Sequence, residues 1–202
     1  MLLSKVILKS RLELQGFKSA YKKLSGAEIS NEYLEQARVV GFFDEKRVLQ
    51  AGYIVNAKAP FRYLSYIPEG EKSSISGYDY LSHNATEITC IFMHKKNLDS
   101  WQRLQVYANS GLDAQATGKK FLLGGSNVAK IARIQKLAMR HDLWSGSPTY
   151  ATNDDIHQEV YYAERTAFVL NILAAYPGLL LSEFFRKRQS STSIEASRSK
   201  AA

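Results

Sequence analysis

Residues 85–96 read ATEITCIFMHKK, an acid, a run of apolar and β-branched residues, and three groups that can be cationic. Glu87 can take a proton, and Cys90 can offer a thiol. His94 can move a proton or meet a phosphate, and Lys95 and Lys96 can hold an anion as point charges. Full charges are costly inside a buried strand. The segment is therefore either a core strand whose ends lie in solvent or a strand running through a site that needs an acid and cations.

Each group has a bland alternative. Glu87 as a base requires an apolar setting that raises its pKa; otherwise it is a strand-end acid in a surface ion pair. His94 is a base, a phosphate contact or a partly buried ring. Cys90 sits mid-strand without a recognisable histidine partner and reads as a small core residue rather than a nucleophile. Tyr161 and Tyr162 could protonate a leaving thiolate, although packing explains them as well. Gly124-Gly125-Ser126-Asn127 precedes a helical pattern and could cradle an anion, but lacks the lysine and spacing of a P-loop. His83, His141 and His157 show no metal-ligand spacing, so no metal is expected.

The elements that must position these groups follow from periodicity. Leu14, Phe17, Tyr21 and Leu24 give a helix over 11–24, stopped at Ser25-Gly26, and a short one over 30–37 capped by Ser30 or Asn31. ARVVGFFDEKRVLQAGYIVNA, residues 37–57, reads as a hairpin reversing at Asp44-Glu45-Lys46. FRYLSYI, 61–67, alternates like a strand, and 69–84 reads as a long functional loop whose acids, with Glu87, could draw a cation. A central strand over 86–93 leads to a helix over 98–111, capped by Asn97, with Trp101, Leu104 and Ala108 inward. A strand at 119–125 precedes a helix over 126–142 with Val128, Ile131, Ile134 and Ala138 on one face. A strand at 143–146 and a helix over 159–176 complete the order. An antiparallel hairpin followed by alternating strands and helices implies an α/β (α+β) fold, a mixed, mostly antiparallel sheet with helices on both faces.

This order resembles the GNAT acyltransferase superfamily over roughly residues 11–146, and is nearest to long-chain N-acyltransferases and autoinducer-synthase-like members. ARVVGFFDEKRVLQAGYIV resembles that fold's hairpin. ATEITCIFMHKK resembles its central strand, and FLLGGSNVAKIARIQKLAMRHDLWSG its later strand, helix and strand. Two departures stand out. Cys90 occupies a position that is commonly arginine in the long-chain members, and His94-Lys95-Lys96-Asn97-Leu98-Asp99 lacks the glycines that let backbone N–H groups cradle a pyrophosphate. The resemblance implies attack of an amine on a thioester held along the central strand. It gives Ile91, Phe92 and Met93 to the acyl arm, Lys95, Lys96 and Asn97 to the donor, and Glu87 or His94 to proton transfer. The donor is acyl-CoA or an acyl–acyl carrier protein. The missing glycines and paired lysines favour the carrier protein or a long acyl group. The acceptor is an amine of an amino acid, a peptide or a small molecule.

Composition bounds the rest. The 202 residues are 45% hydrophobic, enough for one core, read as a single domain over 1–185 with a basic, Ser-rich, disordered tail at 186–202. That tail holds five basic residues against one acid, half of the formal charge of +8, so the folded body is nearly ordinary and nucleic acid is an unlikely partner. The alternative function is nonetheless a non-catalytic basic module for nucleic acid, resting on Lys130, Arg133, Lys136 and Arg140, or for an anionic membrane surface. Residues 167–188, apolar and ending in Phe184-Phe185-Arg186-Lys187-Arg188, suit peripheral membrane contact. One cysteine and a charged N-terminal stretch suit a cytoplasmic protein, with the membrane contact at its inner face.

Overall fold

In the computed structural model, residues 2–94, 96–151, 156–172 and 174 are described. They form a seven-stranded sheet with helices on both faces, as the periodicity implies. Strand β1 (Ser4–Leu8) is followed by helices α1 (Arg11–Ser25) and α2 (Asn31–Gln36), then the hairpin β2 (Arg38–Phe43) and β3 (Leu49–Asn56). Three short helices come next, α3 (Arg62–Ser65), α4 (Glu69–Lys72) and α5 (Tyr78–Asn84). Then follow β4 (Ala85–Met93), α6 (Ser100–Gln115), β5 (Phe121–Ser126), α7 (Ala129–Gln135), β6 (His141–Gly146) and β7 (Gln158–Glu164). The strand order is β1-β2-β3-β4-β5-β7-β6, and every neighbouring pair is antiparallel except β4 and β5.

Local chemistry sets the element ends. Ser10 and Glu13 form a capping box at the start of α1, and Gly26 closes it in the left-handed region, its N–H reaching the carbonyl of Lys22 at 2.8 Å. Ser30, not Asn31, caps α2. Asp44 accepts from the backbone N–H groups of Lys46 and Val48, both at 2.9 Å, and so builds the β2–β3 reversal. One apolar face of the sheet packs on α1 and α2 through Phe17 and Leu34; α6 covers the other through Val106 and Ala114. A third cluster holds α3 and α5 on β5–β7 through Leu64, Leu81, Leu123 and Val160.

Several expectations need correction. The stretch at 61–67 is not a strand but α3, because the backbone N–H groups of its first turn find a carboxylate, that of Glu87. The expected loop at 69–84 holds α4 and α5, pinned by Leu81 and by Trp144, whose indole N–H donates to Glu71 at 2.6 Å. The helix expected over 159–176 begins as β7, whose Val160 and Ala163 are buried; helical structure starts at 165. β1 carried no sequence signal that was read; it pairs with β2 and leaves its own side chains largely outside. Asp99, not Asn97, caps α6, and the buried side of α6 is Val106, Ser110, Gly111, Asp113 and Ala114, not Trp101 and Ala108. Of the apolar face expected to be core in 126–142, Val128, Ile131 and Ile134 are exposed; α7 buries only Ala132. Gly124 and Gly125 lie within β5, as the strand expected over 119–125 has them, and α7 starts only at Ala129, so they do not open a helix.

Candidate active site

The site begins where two strands part. β4 and β5 pair in parallel at Ala85–Phe121, Thr86–Leu122 and Glu87–Leu123, and no further. Beyond Leu123, β5 turns its other edge to β7 through Ser126, while β4 continues to Met93 alongside β3. Glu87 therefore stands at the apex of a wedge. A bulge accentuates the parting: Tyr53 of β3 faces two β4 residues, Cys90 and Ile91, between the pairs Ile54–Thr89 and Gly52–Phe92. Cys90 takes φ of 52°, a conformation uncommon for a side-chain-bearing residue. A bulge leaves one residue outside the ladder and bends its strand.

The wedge opens into a cleft of about 2470 Å³. Its floor is β4 from Thr89 to His94. Tyr21, Tyr33 and Arg62 border the cleft on the α1 face of the sheet, with Tyr63 beside them; Trp101 and Leu104 of α6 and Val128, Ile131 and Ile134 at α7 border it on the opposite, α6 face. Gly125 makes the first border possible. A Cβ there would lie 2.7 Å from the Tyr63 ring and 2.8 Å from the carbonyl oxygen of Glu159. Gly124 similarly yields space to Met139, whose sulfur would lie 2.7 Å from an added Cβ. The glycine pair thus serves close packing.

Glu87 is fully buried yet well provided for. Oε1 accepts from the N–H of Tyr63 at 2.6 Å, Oε2 accepts from the N–H of Arg62 at 3.0 Å, and the Tyr33 hydroxyl also donates to Oε2. Burying an ionised carboxyl without such donors would cost several kcal/mol, on the order of the penalty for an unpaired charge. Burial still dominates and pushes the carboxyl above its ordinary value, against the lowering pull of Tyr33, the two backbone N–H groups and the Arg62 charge. Asn56, opposite Glu87 in β3, shapes the approach: its amide donates to the Pro60 carbonyl at 3.2 Å and accepts from the Lys58 N–H at 3.0 Å, directing 57–61 over the carboxyl. Glu87 does not face the cleft. Tyr33 does, and is its link to the open space. Tyr33 was missed in the sequence; its place four residues into 30–37 carries nothing that distinguishes it from the eleven other tyrosines.

The remaining candidates separate along β4. Ile91 and Met93 pack toward α6, Phe92 packs toward α1 against Phe17 with ring centroids 5.2 Å apart, and all three border the cleft. Cys90 is buried, its thiol raised to about 11 by burial, with Thr89 at 3.6 Å. His94 ends the strand, seven residues from Glu87, roughly 20 Å at ordinary strand rise, so the two are not brought together. Asn97 ties the following turn to β3, donating to Gln50 at 3.0 Å. Lys96 is exposed at the cleft, whereas Lys95 lies outside the described residues. Asp99 caps α6 by accepting from Gln102 N–H at 2.8 Å, which puts a carboxylate at the helix start next to this turn. Tyr161 donates to Gln135 of α7 and Tyr162 stacks on His141; neither borders the cleft. Of the acids at 69–84, Glu69 pairs with Lys72 and Glu71 holds Trp144.

By sequence the chain matches no family profile and no curated protein. Its coordinates superpose on FeeM, an N-acyl amino acid synthase from uncultured soil microbes, with a TM-score of 0.64 at 14% identity, covering 86% of this chain and 97% of that one. A Bacillus subtilis acetyltransferase solved with CoA gives 0.52 at 12% identity over 80% of this chain and 98% of that one. An acetyltransferase of the GNAT family from Staphylococcus aureus gives 0.50 at 7% identity over 81% and 99%. The chain has the GNAT fold. The parted β4 and β5 are thus set within a GNAT sheet, and the resemblance read in 11–146 holds at the level of architecture.

Proposed function

We propose that this protein is an N-acyltransferase that moves a fatty acyl group from a thioester donor to the amine of an amino acid, peptide or small molecule. The observation that carries the reading is the wedge: a bulged strand that, beyond Glu87, has no partner on one edge among the described residues, an open cleft along it, and a buried carboxyl of raised pKa at its apex. The acyl thioester lies along Thr89–Met93, where main-chain N–H groups freed by the parting polarise its carbonyl. The amine nitrogen bonds to that carbon as its proton passes to the Tyr33 oxygen and the Tyr33 proton to Glu87. The tetrahedral intermediate then expels the thiolate, and the proton held by Glu87 returns through Tyr33 to the sulfur, which leaves as the thiol and restores the carboxylate. Cys90 forms no covalent bond in this sequence.

Support for a long acyl group comes from the far border. Trp101 is 67% exposed, and Val128, Ile131 and Ile134 are also exposed and line the same cleft, an apolar lining that the described residues leave uncovered. Support for a carrier-protein donor comes from the α6 entry. Glycines are absent there, the Asp99 carboxylate occupies the helix start, and Lys96 stands exposed nearby. A carboxylate at that point repels a pyrophosphate, while exposed cations suit the acidic surface of a carrier protein. FeeM is an N-acyl amino acid synthase, which agrees with acyl transfer to an amino acid acceptor. Apolar residues over 167–172 border the described region, but most of the segment at 167–188 offered for membrane contact, and the tail at 186–202, lie outside it. No helix among the described residues is long and apolar enough to cross a membrane.

The test is mass spectrometry of products after incubation with acyl-CoA and acyl-carrier donors and an amine library. An N-acyl product is expected that still forms with Cys90→Ala. Absence of product from every donor, or its loss in Cys90→Ala with retention in Glu87→Gln, would reverse these assignments.

A further inference from the structure

Arg62 is a cation on the cleft wall that makes no ion-pair contact with a carboxylate among the described residues. Its Nε donates to the Tyr66 hydroxyl at 2.5 Å and its Nη1 to the Glu28 carbonyl at 2.7 Å. Its guanidinium lies 5.9 Å from the centre of the Tyr21 ring and 5.8 Å from that of Tyr66. Among the described residues no carboxylate pairs with it, and Nη2 donates to nothing. Arginines held away from bulk water ordinarily meet a carboxylate or phosphate, and the planar fork is shaped for one. Here aromatic rings, a hydroxyl and a carbonyl fix the fork while leaving one nitrogen uncommitted on a residue that lines the cleft.

Position gives this cation a role. The backbone N–H of Arg62 donates to Glu87, so Arg62 and the buried carboxyl share one corner of the site, and Arg62 lies over Tyr21 on the α1 face of the sheet, whereas α6 and α7 pack on the other face. The acyl chain and the donor lie on the α6 face in the reading above, so what meets Arg62 is the acceptor.

We propose that Arg62 receives the carboxylate of the acceptor, and that the acceptor is therefore a free amino acid, not a diamine or a peptide lysine side chain. This rests on the acyltransferase reading. A diamine would bring a second cation toward an uncompensated one, whereas an amino acid brings its amine to Tyr33 and its carboxylate to Arg62. One uncommitted Nη2 beside a partly used Nη1 offers donors to a pair of anionic oxygens, which a carboxylate or a phosphate can present, so the test below sets one against the other.

Three acceptor types separate the possibilities with the unaltered protein: amino acids, their methyl amides, and O-phosphoethanolamine. Amino acids are expected to be favoured in kcat/KM by roughly tenfold or more, the scale of one charge-assisted hydrogen bond. Arg62→Lys should raise the acceptor KM and leave the donor KM in place; Arg62→Gln should erase the preference for acid over amide. Equal use of acid and amide, preference for the phosphate, or a change confined to donor KM would overturn the assignment while leaving acyl transfer standing. If no amine is acylated, the acyltransferase reading fails, and Arg62 is judged by binding. N-dodecanoyl derivatives of alanine, leucine and phenylalanine should then raise the melting temperature more than their methyl amides, an excess lost in Arg62→Gln. Equal shifts would overturn the assignment.

Discussion

Glu87 is a carboxyl held between opposing influences, and the balance has consequences that titration reveals. Burial raises its pKa above the ordinary 4.5, and the Arg62 charge is among the influences that pull it back. In its proposed role of proton acceptor it works only when ionised. Transfer is therefore expected to be slow while Glu87 is protonated and to rise as pH passes its folded pKa, above the usual carboxylate range. Arg62→Gln should move this limb to higher pH, a shift read from kcat–pH profiles with a good acceptor at saturation. The folded chain also holds the Glu87 proton to higher pH than the unfolded one. Stability from this group is thus present at low pH and declines as pH rises through that window. That Glu87 needs partners if buried was legible in the sequence, because an acid inside an apolar run demands them. The identity of those partners was not: two are backbone N–H groups, which no side-chain pattern announces, and the third is one tyrosine among twelve.

The wedge depends on elements fitting closely. Gly125 lets the Tyr63 ring lie on β5, and Tyr63 donates its N–H to Glu87. Gly125→Ala would force that ring or the strand away, at a cost of about 1–3 kcal/mol typical of overpacking. Chemical denaturation should show that loss, accompanied by a fall in transfer rate larger than that caused by an alanine change at exposed Ser74. Hairpin, central strand and capped helices were readable from period and turn chemistry. The stretch at 61–67 was not, because its alternation of aromatic and polar residues fits a strand until Glu87 supplies an acceptor for the N–H groups of a helical turn. β7 was misread for a related reason: QEVYYAE runs without a break into helical residues at 165, and only pairing to both β5 and β6 makes it a strand.

Across the whole molecule, the apolar stripe of α7 shows how far sequence reaches. Val128, Ile131 and Ile134 were recognisable as one face, and such a face is ordinarily core; here it borders open space opposite Trp101. Periodicity reports that a face wants cover, not what covers it. If an acyl chain is that cover, each added pair of methylenes contributes about 1.6 kcal/mol, so kcat/KM should climb roughly tenfold per two carbons from octanoyl to dodecanoyl donors until the cleft is filled. Ile131→Asp should flatten that series. The architecture was legible from the order of elements, and the formal charge of +8 was not informative about it.

The most direct measurement of the central claim is the rate of acyl transfer from a dodecanoyl thioester to an amine by the unaltered protein and by Glu87→Gln, with folding of both checked by circular dichroism. The account predicts an N-acyl product whose rate of formation falls roughly 100-fold or more in the variant, the scale of a lost general base. Equal rates in the two folded proteins would contradict it.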